Sequence, residues 1–262
     1  MAQRTTPAGR IPAQFILIAV LAAALAVAGC SGPKIVLDYP AEVIDFSQGI
    51  TDTPALFIDQ VTDMRPIGQR TGQGHFFGIT FPKDESWARP ATETYGEALA
   101  QDLDQTHLVE LVPFRGQADY VLSVDLLSLG CRLERSPTSY LLAGTVGAGI
   151  GMALGEDASG RAKRASLLGL VAMAAIPMPA SMRGEAEIRM TLRGDDGEIV
   201  WQEACLGEYE GRKFIAPTAR QDQELVDEYL ARAVKRANAC LLGQLRQAFA
   251  EREQAGSEEG GR

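Results

Sequence analysis

Beyond residue 54 the chain is organised by how its apolar and polar positions alternate. Ala55-Leu56-Phe57-Ile58-Asp59-Gln60-Val61 is dense in strand formers. It predicts a strand that stops at Thr62-Asp63-Met64-Arg65-Pro66, where the proline has no amide to give a ladder. Gly68 to Gly78 reads as a loop. Tyr95, Leu99 and Leu103 recur every fourth residue and predict a helix over 92–106, with Thr92 as its cap and Glu93 in its first turn. Leu108 to Phe114 predicts a short strand. Ala118 to Leu129 predicts a longer one, with Tyr120, Leu122, Val124 and Leu126 on one face. Glu185 to Arg193 alternates again and groups Ala186, Ile188, Met190 and Leu192. Asp195-Asp196-Gly197 supplies a turn, and Glu198 to Tyr209 returns as the hairpin partner. A closing helix is expected over 221–250, with Val226, Tyr229, Leu230, Ala233, Val234, Ala237, Cys240, Leu241, Leu245 and Ala248 on its stripe. Residues 254–262 predict a loose polar tail.

Each of these elements has one apolar side to bury. The expected fold class is therefore α+β: a mostly antiparallel sheet with two helices packed on one face, forming a single domain over 54–253. An apolar insertion, 137–182, interrupts it. Tyr140–Gly155 and Ser166–Ala180 are uncharged runs separated by a polar stretch with Glu156, Asp157, Arg161, Lys163 and Arg164. Ala143, Gly147, Gly151 and Gly155 form a small-residue ridge at four-residue spacing, which lets two apolar helices approach closely. Three arrangements fit: a helical hairpin that enters a bilayer or packs on neighbouring copies, a hairpin folded over the domain's own sheet, or a mobile loop. Each run is shorter than the ~20 residues of a spanning helix, and Pro177 and Pro179 end the second early.

The amino terminus carries a different signal. Arg4 and Arg10 stand in a leader without acids, and Phe15 to Gly29 is uncharged, as in the apolar region of a secretory signal. The run closes on Val27-Ala28-Gly29-Cys30, which resembles the lipobox of bacterial lipoproteins. That resemblance implies cleavage after Gly29 of a signal peptide spanning 1–29, and acylation of Cys30. Acyl chains, at ~0.8 kcal/mol per buried methylene, would hold the chain to a leaflet. Ser31 stands where an Asp would favour inner-membrane retention, so the outer membrane, with the domain facing the periplasm, is the expected location. Residues 30–53 read as a lipidated tether with room for an edge strand. The expected partners are membrane lipid through Cys30 and an envelope protein or further copies of the chain.

Composition narrows the chemistry. A formal charge of −9 disfavours a non-specific grip on nucleic acid. Four cysteines leave three besides Cys30: Cys131, Cys205 and Cys240. In an exported protein Cys205 and Cys240 are the favoured disulfide, since one lies in the last strand and the other on the helix stripe expected above it; three buried thiols is the alternative. No C-x-x-C, nucleophile elbow, phosphate loop or dinucleotide loop occurs, so no metal, cofactor or catalytic residue is indicated. His75, in the Gly-rich loop, is a weak hydrolytic candidate. Asp63 and Arg65, at a strand end, read as an ion pair or as candidate partner contacts, because a guanidinium fork suits carboxylates.

The succession Asp63-x-Arg65, Ile67-Gly68, a helix, Ala118-Asp119-Tyr120-Val121-Leu122, Asp196-Gly197-Glu198-Ile199-Val200-Trp201 and a final helix resembles the YajG-like group of bacterial outer-membrane lipoproteins. It resembles the transport-auxiliary and curli-secretion lipoproteins more distantly. The resemblance covers residues 54–130 and 183–250, omits the insertion and implies no catalytic residues. The expected function is a non-enzymatic, lipid-anchored interaction or assembly module. An oligomeric outer-membrane pore or secretion component is the alternative.

Overall fold

A computed structural model describes residues 34–46, 53–71, 74–75, 78–79, 82–153, 166, 177–215 and 219–259 of the 262-residue chain. The signal region, and Cys30 with it, lies outside them. The fold is mixed α+β. Strand β1 (Ala55–Asp63) is followed by a one-turn helix α1 (Ile67–Arg70), two short strands β2 (Gly74–His75) and β3 (Gly78–Ile79), and helix α2 (Ala91–Thr106). Then come β4 (Glu110–Leu111), β5 (Tyr120–Arg135), α3 (Pro137–Ala153), β6 (Met178–Arg193), β7 (Ile199–Ile215) and the long helix α4 (Ala219–Glu259).

Strand β5 is the spine of the sheet. It pairs along its whole length with antiparallel β6, and β6 pairs in turn with antiparallel β7. On its other side the first half of β5 takes β1 and the second half takes β3. The β1–β5 and β1–β4 pairs are parallel. The sheet is thus mixed where a mostly antiparallel one was expected. The reason is topological: a helix between two strands returns the chain to the end it left, so the next strand must run parallel.

A bulge at Leu127 also extends β5 past its predicted end. The register shifts between Leu126 and Ser128, so side-chain parity flips. Leu122, Val124 and Leu126 face the core before the bulge, and Leu129, Cys131 and Leu133 face it afterwards. β6 keeps strict alternation from Met178 through Ala180, Met182, Ala186, Ile188 and Met190 to Leu192, all buried. It therefore absorbs the end of the expected insertion. Gly197, at φ +85°, closes the β6–β7 hairpin in the left-handed region that favours glycine.

Helices α2 and α4 cover the same face. Tyr95, Leu99 and Leu103 of α2 are buried as their spacing predicted, with Ala91 and Ala98 beside them. The helix begins one residue earlier than expected. Pro90 takes the N-cap position and no side chain caps it, so Thr92 is not the cap. His107, at φ 50°, ends it in a left-handed C-cap. Helix α4 continues to Glu259, into the segment expected to be loose. Its seat on the sheet is cleared by glycines. A Cβ on Gly207 would lie 2.1 Å from the Ala233 carbonyl oxygen, and one on Gly184 would lie 2.2 Å from that of Tyr229. Ala233 and Ala237 answer from the helix side, so backbone packs almost on backbone.

Residues 34–46, part of the expected tether, lie along the domain as a strap. The Ile35 amide donates to the Ser86 carbonyl at 2.7 Å, and the Ala88 amide donates to the Ile35 carbonyl at 3.0 Å. Further along, Tyr39 donates to Asp102 of α2, which is fully buried. Lys235 of α4 donates to the same carboxylate at 2.5 Å, and Asn238 donates to it at 2.8 Å. Tyr95 donates to the Asn238 side-chain oxygen at 2.9 Å. Burial first, and then the neighbouring Asp102 charge, push the hydroxyls of Tyr39 and Tyr95 above their ordinary range, so both remain donors.

The glycine seat makes a direct prediction. Gly207→Ala forces α4 off β7 and should lower unfolding stability by about 3 kcal/mol in urea titrations. Gly116→Ala, where an added Cβ meets nothing within 4 Å, should stay within about 0.5 kcal/mol of the parent.

Candidate functional site

The carboxyl end of β1 and the amino end of α2 meet at a cavity of about 460 Å³. Asp63, the last residue of β1, and Arg65 face each other there. Arg65 Nε donates to Asp63 Oδ1 at 2.9 Å and Nη2 donates to Oδ2 at 2.8 Å, a bidentate pair. Arg65 Nη2 also reaches Asp84 Oδ1 at 2.8 Å, and Arg70 Nε reaches Asp84 Oδ2 at 2.8 Å. The Arg65 side chain is 1% exposed, with its fork turned to Asp63 and Asp84. It nevertheless lines the cavity, together with Trp87, over whose ring its Cζ sits 6.0 Å from the centroid. Burial acts to raise the Asp63 pKa, but the hydrogen bonds and charge of Arg65, helped by Arg70, outweigh it and hold the carboxyl below its usual range.

Sequence reasoning singled out Asp63 and Arg65 but not Asp84, Arg70 or Trp87. Those three lie in segments without apolar periodicity; the strap's pairing at Ile35 with Trp87 and the ion pairs of Asp84 hold that wall in place. Two donors at this wall have no acceptor among the described residues: Arg65 Nη1 and Trp87 Nε1. A second cavity, of about 490 Å³, shares Arg70 and Asp84 with the first and adds Ile67 and Lys83.

The second candidate region is α3. Its 17 residues carry no charge. Leu141, Leu142 and Val146 are exposed at 68%, 67% and 50%, and the main contact of the helix is with β6. Ala143, Gly147 and Gly151 of the ridge fall on this helix, while Gly155 lies outside the described residues. No described helix is long and apolar enough to cross a membrane.

Cys205 of β7 and Cys240 of α4 are joined by a disulfide, with Cα atoms 6.2 Å apart. Cys131 is a free, buried thiol. Burial, then the charges of Asp227 and Glu185, push it up to about 12, which leaves it unreactive. Val27, Ala28, Gly29 and Cys30 lie outside the described residues. His75 belongs to β2 by its backbone. Among the described residues no group of three or more His, Cys, Asp or Glu is placed to hold a metal ion.

No family model matches the chain, and no curated protein matches it significantly. Among solved structures, a Xanthomonas campestris protein assigned to family DUF330 aligns at 12% identity with a TM-score of 0.45, covering 82% of this chain and 97% of its own. A protein described as a neuraminyllactose-binding hemagglutinin homolog, from Helicobacter pylori, aligns at 9% identity with a TM-score of 0.40, covering 86% of this chain and 99% of its own.

Acid should expose the role of Asp63. Its folded pKa is lowered, so its contribution to stability is complete above the unfolded value of about 3.9 and is lost as pH falls through the folded value. Asp63→Asn should therefore lower the urea midpoint at neutral pH. The gap between variant and parent should narrow as the titration is repeated below about pH 4.

Proposed function

We propose that this chain is a lipid-anchored protein of the bacterial outer membrane, acylated at Cys30, whose domain faces the periplasm as a non-enzymatic interaction or assembly module. The observation that carries the reading is α3. An uncharged helix that presents Leu141, Leu142 and Val146 to solvent, held to its own domain chiefly through β6, is apolar surface built to be covered by something else. The basic leader and the Val27-Ala28-Gly29-Cys30 sequence supply the anchor. The Cys205–Cys240 bond suits an oxidising compartment. On this reading the two helices on one face of the sheet form the rigid body, and α3 is the docking element attached to it.

The same helix favours a second reading, in which several copies bring their apolar hairpins together in the outer membrane as a pore or secretion component. Cys30→Ala, exported behind an ordinary secretory signal, separates the two. An interaction module should fractionate as a soluble periplasmic protein, whereas a membrane-inserted assembly should still need detergent. Deleting residues 138–176, which spares β6, should then release the latter into the soluble fraction. If the parent chain keeps its initiator methionine and an unmodified Cys30 thiol by mass spectrometry, the anchored location fails.

A further inference from the structure

Strand β7 ends the sheet on one side, and among the described residues it pairs only with β6. At 17 residues its outer edge is long. It contains no proline, and its ladder with β6 shifts register only at the start, between Leu192 and Arg193. Exposed edges are usually blunted by shortness, prolines or bulges, and this one has none of these along most of its length. The amides and carbonyls of a bare edge can take up a further strand. The Glu208 carbonyl accepts from Arg236 Nη1 at 2.6 Å, and its second lone pair leaves room for an amide.

The side chains decide which strand fits. Gly207 and Gly211 lie against α4, so Leu206, Glu208, Glu210, Arg212 and Phe214 share the opposite face. Leu206 is 55% exposed and Phe214 77% exposed. Arg183 of β6 binds both Glu208 and Glu210, the latter at 2.9 Å. Arg212 is exposed and makes no ion pair among the described residues. This order is self-complementary. Laid antiparallel on a copy of itself with Glu210 opposite Glu210, the strand sets Leu206 against Phe214 and Glu208 against Arg212, each pair occurring twice by symmetry. The two central carboxylates repel, but each keeps its own Arg183. A slide to the next in-phase register loses the match, because Glu208 then meets Glu210 in one direction and Phe214 in the other. On the other face α4 rests on Gly184 of β6 as well as on Gly207 of β7, so it lies over both strands.

We propose that β7 is a self-recognition edge, through which two copies of this chain join antiparallel about a two-fold axis at Glu210. Leu206 then packs on the partner's Phe214, and Glu208 faces the partner's Arg212. The inference goes beyond the function proposed above, because the contact uses neither the acyl anchor nor α3.

The test is cysteine crosslinking of the full chain in detergent micelles, read on non-reducing gels, with the parent and its own cysteines as the blank. Position 210 is its own neighbour in this register, so Glu210→Cys alone should oxidise to a covalent dimer. Glu208→Cys and Arg212→Cys should each stay monomeric alone and crosslink when mixed. Arg212→Glu sets like charges against each other at both ends of the contact. It should weaken dimerisation about tenfold in sedimentation equilibrium while the circular dichroism stays unchanged. An assembly held through α3 would not respond to that reversal. The proposal is overturned if Glu210→Cys stays monomeric, or if Glu208→Cys crosslinks as readily alone as when mixed. It is overturned equally if Arg212→Glu associates as tightly as the parent, or if the parent sediments as a monomer at about 100 μM. If Arg212→Glu does not fold, the mass of the unaltered chain and the Glu210→Cys crosslink still decide.

Discussion

The carboxylate of Asp102 is the point on which the helical layer turns. It is fully buried, and it accepts from a lysine of α4, an asparagine of α4 and a tyrosine of the amino-terminal strap. A charge so placed would be costly if any partner left, since breaking a buried pair typically costs 3–5 kcal/mol. Three segments far apart in sequence are thus tied to one atom group. The tie reaches the cavity as well, because the strap held by Tyr39 is the strap whose Ile35 pairs with Trp87. The wall that carries Trp87 is positioned from the other end of the helical layer.

Much of the architecture could be read from residue spacing. The stripes of α2 and α4 and the alternation of β6 from Glu185 onward follow side-chain periodicity, which burial enforces directly. The hairpin at Asp195-Asp196-Gly197 was legible for another reason, since one position needs a positive φ. What was missed has equally physical causes. The bulge at Leu127 reverses parity in mid-strand, so a pattern read in steps of two ends where the strand does not. The first half of β6 contains Pro179, Ser181 and Gly184, all poor strand formers; Gly184 is there because α4 packs directly on it, while Pro179 and Ser181 stand on the exposed face.

The candidate site was legible only in part. Asp63 and Arg65 stood out as opposite charges at a strand end, yet their neighbours Asp84 and Trp87 come from a segment whose place is set by the strap and not by its own sequence. The uncapped start of α2 is visible in sequence only as Pro90 where a Ser or Asp would be usual. The mutual burial of Asp102, Lys235 and Asn238 gave no signal, because a polar residue on an apolar stripe looks the same whether it is paired or solvated.

The attachment of α3 has a further consequence. Arg135 and Ala180 are ladder partners across β5 and β6, so everything between them begins and ends at adjacent points on the sheet. Loop-closure cost rises only slowly with length, by about 0.6 kcal/mol per doubling. The length of the segment between them therefore bears little on the stability of the sheet, whereas the glycine-lined seat of α4 leaves no room for a larger side chain.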